Sequence, residues 1–247
     1  MEENYKIISD QLGNDKHCKA YIIKGNLSNK KLIVKIYEDS RLAFYENETN
    51  ILKELNQINF EPETDKFFVM FKDMNYNPNM FIIPKEIREI NLQFLFYDYL
   101  PKLSLLDYFV HFGWRMKEIH VKLLCYKLLK VIEKLQEINI CHNNINLSNI
   151  LFDDNFNPKL IHYSEVKRIT EENKSQINND IFGLVKTLAR ILSYGFFGSI
   201  NYNKNKKQYE IFFNKINKKG KKTHLEESKF WEYIKNEYDV KLYLKIF

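Results

Sequence analysis

The stretch that decides how this chain is interpreted is Cys141-His142-Asn143-Asn144-Ile145-Asn146-Leu147-Ser148-Asn149. It carries one histidine, several asparagines and no carboxylate. An amide cannot accept a proton at neutral pH, so Asn144 cannot act as a general base. The stretch therefore supplies polar groups that can position a loop, but it lacks the group that proton-transfer chemistry needs.

Apolar stripes at helical spacing lie on both sides of this stretch. The first consists of Val121, Leu124, Cys125, Leu128, Ile132 and Leu135. The second follows Asp180, a favourable residue at a helix start, and consists of Ile181, Leu184, Val185, Leu188, Ile191 and Leu192. Both stripes predict a helix with one buried face.

The first hundred residues instead alternate in the manner of a sheet. Strands are predicted over 5–12, 18–24, 31–37, 67–71, 79–83 and 92–97. One helix is predicted over 41–58, with Ile51, Leu52 and Leu55 on one face. The change from strands to helices near 98–102 predicts an α+β fold with a cleft between two lobes.

Composition favours an ordinary globular protein. The 247 residues are 45% hydrophobic and 28% charged, with a net charge of +6. The cysteines Cys18, Cys125 and Cys141 have no metal-ligand spacing, which indicates reduced thiols. No apolar run approaches the ~18 residues of a membrane span. We therefore expect a cytoplasmic or nuclear protein without a membrane span.

Several local matches, all in the correct order, make the chain resemble the eukaryotic protein kinase superfamily. Residues 32–35 resemble the third-strand lysine motif, 48–52 the helix with its glutamate partner, 94–100 the strand and hinge that face adenine, 142–149 the catalytic loop, 158–164 the metal-binding motif, and 180–184 the start of the central helix. The resemblance spans about 5–192. It implies one kinase-like domain over 1–247. A small antiparallel β-sheet lobe with one main helix would occupy 1–98, and a larger, mainly helical lobe 99–247.

The resemblance also implies a vestigial nucleotide site, formed by Gly13, Ile33, Lys35, Glu48, Asp98, Leu100 and Asn149. Lys35 would either contact phosphate or form a salt bridge with Glu48 that holds the helix against the sheet. Ile33 replaces a small residue over the adenine; it either compensates for Ala20 or fills the adenine space. Leu52, His142, Tyr163 and Asp180 match positions that stack or anchor the core of an active-like kinase.

The groups that transfer phosphate are replaced. Asn144 stands in place of the catalytic base, Asn146 in place of a phosphate-steadying lysine, and His162 in place of the main metal-binding aspartate. Mg²⁺ prefers oxygen ligands, so an imidazole is a poor substitute. The glycine loop carries Asp15 and Cys18 where the family has glycines.

These losses, together with a short segment over 162–180 in place of the activation segment, imply a pseudokinase. It would have no catalytic residue and no metal site, with ATP binding weak or absent and Mg²⁺ unlikely to bind. Its partner would be another protein, such as an active kinase or its substrate.

Two alternatives stay open. One is a divergent active Ser/Thr kinase or small-molecule kinase, which would need carboxylates at 144 and 162. The other is binding of nucleic acid, phosphoinositide or an acidic surface through Lys204, Lys206, Lys207, Lys215, Lys218, Lys219, Lys221 and Lys222. Tyr209, Phe212 and Phe213 could stack on bases, although their spacing fits a buried helix face. A lysine run of this kind is more typical of a solvated surface.

Overall fold

The computed structural model describes residues 5–12, 15–58, 71–72, 81–82, 92–101, 104–112, 116–192, 197–203 and 208–213. These residues form an α+β fold that begins with a largely antiparallel sheet and one helix, as predicted. They fall into two compact units. The first contains the described residues up to 101 together with 162–166, and the second contains 104–161 and 167–213.

Six strands form the sheet of the first unit, in the spatial order β4-β6-β3-β2-β1-β5. Their bounds are Tyr5–Ile7 for β1, Lys19–Gly25 for β2, Lys31–Glu38 for β3, Phe71–Lys72 for β4, Phe81–Ile82 for β5 and Leu92–Asp98 for β6. Neighbouring strands are antiparallel except for β1 and β5. The turn from β2 to β3 contains Asn29 at φ 55°, a left-handed conformation that asparagine tolerates.

The strands of the sheet differ from the predicted ones mainly in length. The strand predicted over 5–12 ends at Ile7, and Leu12 keeps only an isolated bridge to Ala20. The strand predicted over 67–71 lies outside the described residues except at Phe71, which belongs to β4. Of 79–83, Phe81–Ile82 is described, and it is a strand.

The two faces of the sheet carry different side chains, because successive residues of a strand point to opposite sides. One face is a buried apolar cluster of Tyr5, Ile23, Leu32, Val34, Ile36, Phe94 and Phe96. On the other face, β3 presents Ile33, Lys35 and Tyr37. The strand alternation therefore sets the ionisable Lys35 apart from the apolar cluster.

Helix α1 spans Leu42–Gln57 and lies close to the predicted range. It follows a short 3-10 turn and ends where Ile58 adopts an extended conformation. Ile51, Leu52 and Leu55 are buried, as predicted. The same helix buries Glu48 completely, at 0% exposure, so this carboxylate requires hydrogen-bonding partners inside the protein.

The described part of the second unit contains three helices and three short ladders. The helices are α2 (Leu105–Phe112), α3 (Glu118–Glu137) and α4 (Ile177–Leu192). The ladders pair β7 (Ile140–Cys141) with β10 (Lys167–Arg168), β8 (Ile150–Phe152) with β9 (Pro158–Leu160), and β11 (Phe197–Asn203) with β12 (Gln208–Phe213). Both predicted apolar stripes are buried, on α3 and α4, which contact each other. Of the helices described, none is long and apolar enough to cross a membrane.

The prediction that Asp180 starts a helix is wrong. Helix α4 begins at Ile177, after 3-10 turns over Glu171–Gln176. Asp180 therefore lies within the first turn, buried at 1% exposure. Its two carboxylate oxygens accept the backbone N–H groups of His142 and Asn143, both at 2.7 Å. Asp180 thus fixes residues 142–143, which are distant in sequence. These two hydrogen bonds explain why Asp180 lies inside the helix and not at its start.

The helical interpretation of Tyr209, Phe212 and Phe213 is also wrong, since these residues belong to strand β12. Strand pairing with β11, from Phe197↔Phe213 to Asn203↔Gln208, determines this segment. Apolar spacing over such a short run does not distinguish a helix from a strand. All eight lysines of the predicted basic cluster lie outside the described residues.

Gly183 in α4 allows a close approach between two parts of the second unit. A Cβ at this position would stand 2.8 Å from the carbonyl oxygen of Ile145 and 3.2 Å from the Ile145 Cβ. The first distance is shorter than side-chain carbons tolerate against backbone. The absent side chain therefore lets α4 lie directly against the loop that follows His142.

We expect Gly183→Ala to destabilise the protein, although alanine is ordinarily the better helix former by ~1 kcal/mol. The added methyl group forces a backbone shift, which should lower the free energy of unfolding by about 1–3 kcal/mol. Urea denaturation measures this change. Lys186→Ala, at an exposed position of the same helix, is the control and should change it by less than about 0.5 kcal/mol. Equal stability of the two variants would contradict the close approach.

Candidate functional site

The carboxylate of Glu48 is the centre of the polar cluster in the first unit. Its Oε1 accepts hydrogen bonds from Lys35 Nζ at 2.7 Å, the Tyr97 hydroxyl at 2.6 Å and the Tyr163 backbone N–H at 3.1 Å. Its Oε2 accepts the Tyr37 hydroxyl. The donors come from three separate stretches of sequence, so one buried side chain joins β3, β6 and the turn at Tyr163 to α1.

Strand geometry explains how these donors reach one point. Lys35 and Tyr37 are two residues apart on β3 and therefore share a face. Tyr97 lies opposite Ile33 on β6, which places it diagonally across from Lys35 on that face. The ammonium group of Lys35 also lies 5.4 Å from the centroid of the Tyr97 ring. Sequence reasoning missed both tyrosines, although the alternation around Lys35 would have indicated Tyr37.

The charges of this cluster stabilise one another. Burial alone would raise the pKa of Glu48, but the Lys35 charge and the hydrogen bonds from Lys35, Tyr37 and Tyr97 outweigh it and lower the pKa. Burial alone would lower the pKa of Lys35, but the Glu48 carboxylate outweighs it and raises the pKa. Burial, followed by the charge of Glu48, raises the pKa of Tyr37 and of Tyr97 far above the usual range. The cluster is therefore one ion pair hydrogen-bonded by neutral tyrosines.

A second cluster joins the loop before β2 to the turn that contains Tyr163. Asp15 Oδ2 lies 3.0 Å from His162 Nδ1, and His17 Nε2 lies 3.2 Å from Glu165 Oε1. Asp15 also accepts the backbone N–H of His17 at 2.8 Å and the thiol of Cys18 at 3.1 Å. The sequence identified Asp15 and His162 separately as poor replacements for a glycine and a metal ligand. In the structure they are partners of each other.

These contacts change the acidity of two groups. Burial alone would raise the pKa of Asp15, but hydrogen bonds from His162 and the His17 backbone, with the His162 charge, hold the pKa well below its usual range. Burial raises the pKa of Cys18 to about 12, although the positive charge of Lys35 opposes this rise. Cys18 is thus a protonated, unreactive thiol. All three cysteines of the chain are buried and free.

The remaining residues of the predicted nucleotide site occupy the sheet and its end. Ile33 is half-buried, on the same face as Lys35, and pairs with Ile22 and Tyr97, whereas Ala20 pairs with Lys35. Asp98 ends β6, with Oδ1 3.8 Å from Lys30 Nζ, and Leu100 is half-buried beyond it. Gly13 lies outside the described residues.

In the second unit, His142 and Asp180 organise the loop of residues 141–149. The ring Nε2 of His142 donates to the carbonyl of Ile161 at 3.1 Å, since a carbonyl oxygen can only accept. The ring Nδ1 accepts the backbone N–H of Asn144 at 3.3 Å. Both ring nitrogens are thus used inside the fold, and Asp180 holds the backbone on the other side.

Amide side chains complete the same loop. Asn146 Oδ1 accepts the backbone N–H groups of Ser148 at 2.9 Å and Asn149 at 3.2 Å, and so caps the 3-10 turn at Leu147–Asn149. Asn146 Nδ2 donates to Asn144 Oδ1 at 2.6 Å, and Asn149 Nδ2 donates to the Asn144 carbonyl at 2.9 Å. The structure therefore brings Asn144, Asn146 and Asn149 together as a mutually hydrogen-bonded loop. Among the described residues, no group of three or more His, Cys, Asp or Glu side chains is arranged to hold a metal ion.

We expect Lys35→Met to lower the free energy of unfolding by about 3–5 kcal/mol, because it leaves the buried Glu48 carboxylate without its counter-charge. The double variant Lys35→Met with Glu48→Gln should be less destabilised than Lys35→Met alone, since it buries no charge. Denaturant titration measures both. Lys19→Ala removes an exposed pair with Glu38, at 3.3 Å, and should cost less than about 1 kcal/mol. If Lys35→Met lowered the free energy of unfolding by no more than Lys19→Ala does, Lys35 and Glu48 would not be a coupled buried pair.

Asp180 should give the protein a characteristic pH dependence. Burial raises its pKa from 3.8 to about 6, against the opposing backbone hydrogen bonds from His142 and Asn143. The folded state then keeps a proton that the unfolded state releases, so this contribution is complete below pH about 4 and is lost as pH rises through about 6. The loss corresponds to about 3 kcal/mol.

Urea denaturation at a series of pH values tests this prediction. The difference in unfolding free energy between wild type and Asp180→Asn should shrink as pH rises from 4 to 7, because the variant has no titrating carboxyl group. A difference that stays constant over this range would contradict the raised pKa.

Comparison with known proteins does not assign the chain to a family. The sequence matches no protein-family model and no curated protein.

Proposed function

We propose that this chain is a catalytically inactive member of the protein kinase superfamily that acts as a protein-binding or allosteric module. The observation that carries the proposal is the pairing of Asp15 with His162. The first residue stands at a glycine position of the phosphate-binding loop, and the second at the position of the metal-binding aspartate. The two side chains contact each other. The carboxylate lies where phosphate would bind, and the imidazole lies where a carboxylate would bind Mg²⁺, so the charges are the reverse of those in a Mg²⁺–phosphate site.

The architecture supports the superfamily part of the proposal. The antiparallel order of β1, β2, β3 and β6, with α1 after β3, is the order that the resemblance implies. Lys35 and Glu48 form the ion pair expected of the third strand and its helix. The four residues matched to core-stacking or anchoring positions are all buried, with exposures of 1% for Leu52, 0% for His142, 1% for Tyr163 and 1% for Asp180.

The chemistry of the same residues supports inactivity. Phosphoryl transfer depends on positioning and on neutralising the phosphates with cations. Asp15 instead places a carboxylate on the loop, and its low pKa keeps it ionised. Asn144 offers an amide that is already hydrogen-bonded to Asn146. Both groups are engaged within the fold, Asp15 with His162 and Asn144 with Asn146.

A domain that catalyses no reaction can still act through its conformation, which a partner protein recognises. The Glu48 and Asp180 networks fix two loops that an active kinase would use for catalysis. A partner protein, such as an active kinase or its substrate, would recognise the fixed conformation of either loop.

Thermal unfolding with ATP, with and without Mg²⁺, tests the proposal. An ATP site at ligand concentrations about 100-fold above Kd would add about 2.7 kcal/mol. For a chain of this size that is a rise in Tm of about 5–10 °C. We expect no such rise and no transfer of radiolabelled phosphate from ATP.

Inorganic triphosphate with Mg²⁺ is the control for non-specific anion binding to a chain of net charge +6. A Mg²⁺-dependent shift with ATP that exceeds the triphosphate shift, accompanied by turnover that Lys35→Met abolishes, would overturn the proposal. In that case the divergent active kinase would be the better interpretation.

A further inference from the structure

Two histidine–carboxylate pairs connect the same two segments of the first unit. Asp15 pairs with His162 at 3.0 Å, and His17 pairs with Glu165 at 3.2 Å. The partners are 148 residues apart in sequence in the second case. Lys16, which is largely exposed, also approaches Glu165 Oε1 at 3.5 Å. We call residues 15–18 the cover loop and residues 162–165 the anchor segment.

The hydrogen positions in these pairs follow from their partners. An ionised carboxylate only accepts, so the hydrogen of His162 that faces Asp15 is on Nδ1. The other nitrogen, Nε2, lies 3.1 Å from the Ser164 hydroxyl. In the described part of the chain His17 Nδ1 is buried without a hydrogen-bond partner. A hydrogen on Nε2, towards Glu165, avoids burying an unpaired N–H group.

The anchor segment is held in place independently of the cover loop. The side chain of Asn47 on α1 donates to the carbonyls of Ser164 at 3.1 Å and Val166 at 2.9 Å. Glu48 accepts the backbone N–H of Tyr163, whose ring is buried. These contacts come from α1 and do not involve residues 15–18. The anchor segment is therefore the fixed side of the connection.

The cover loop has fewer attachments of its own. The His17 ring stacks on Phe44 with ring centroids 3.7 Å apart, and Cys18 is 6% exposed. After Glu48, the charge of Asp15 on this loop also raises the pKa of Lys35. Lys35 itself is 8% exposed. We therefore expect release of the two pairs to uncover the Cys18 thiol.

We propose that the cover loop is a latch, closed by the His162 and Glu165 contacts and able to open as a local unit. The latch rests on distances and burial within the first unit and goes beyond the proposed function. Opening does not require the sheet or α1 to unfold, because the Glu48 network does not include residues 15–18.

The thiol of Cys18 reports opening directly, because a closed latch keeps it buried. The full chain is treated with N-ethylmaleimide, and the rate at each cysteine is measured by mass spectrometry of the labelled peptides. Glu165→Ala removes a contact to His17 without touching Cys18. It should raise the Cys18 rate about tenfold, the effect of losing one hydrogen bond to a charged group. Asp15→Ala should raise the rate further, because it also removes a neighbour that raises the pKa of Cys18.

Cys125 and Cys141 are internal controls, since both lie buried in the second unit. Lys19→Ala, beside the loop, removes the exposed Glu38 pair and should leave every rate unchanged. A Cys18 rate in Glu165→Ala equal to that of wild type would overturn the latch. Equal acceleration at all three cysteines would also overturn it, because the pairs would then stabilise the whole fold. No nucleotide is present, so the result does not depend on whether the proposed function holds.

Discussion

The buried carboxylate of Glu48 is the constraint on which the first unit depends. A carboxylate at 0% exposure is tolerated only if its oxygens are hydrogen-bonded and its charge is balanced. Lys35 balances the charge, and Tyr37, Tyr97 and the backbone of Tyr163 supply the remaining donors. The last of these donors is 115 residues away in sequence. This single requirement explains why a turn from the middle of the chain belongs to the unit built by the N-terminal strands.

Periodicity predicted the parts of the fold that local sequence determines. The alternation around Lys35, the apolar spacing of 41–58 and the two stripes beside His142 all correspond to observed elements, because burial of one face imposes its period on the sequence. The pair of Lys35 with Glu48 was predicted from motif order, and the structure brings these two residues together. Its geometry matches the salt-bridge alternative, since the lysine ammonium is directed at the carboxylate.

What the sequence could not predict depends on partners far away in the chain. Asp180 looked like a helix start, because capping preference is a local signal. Its carboxylate instead binds the backbone of the loop at His142, and the helix begins earlier. Asp15 and His162 each looked like a lost kinase residue. Their complementarity appears only when the two segments are adjacent, and periodicity carries no information on such pairs. The strand at 208–213 was missed for the same reason, since pairing with β11 determines it.

Several charged side chains among the described residues of the first unit are paired with one another. Lys35 is matched by Glu48, His162 faces Asp15, and Glu165 is shared by two residues of the cover loop. Loss of either partner of the Lys35–Glu48 pair would leave a buried charge without its counter-charge. The carboxylate would also lose hydrogen bonds that are strong because it is charged and costly to lose because it is buried. Internal pairing therefore accounts for how this unit tolerates its buried charges.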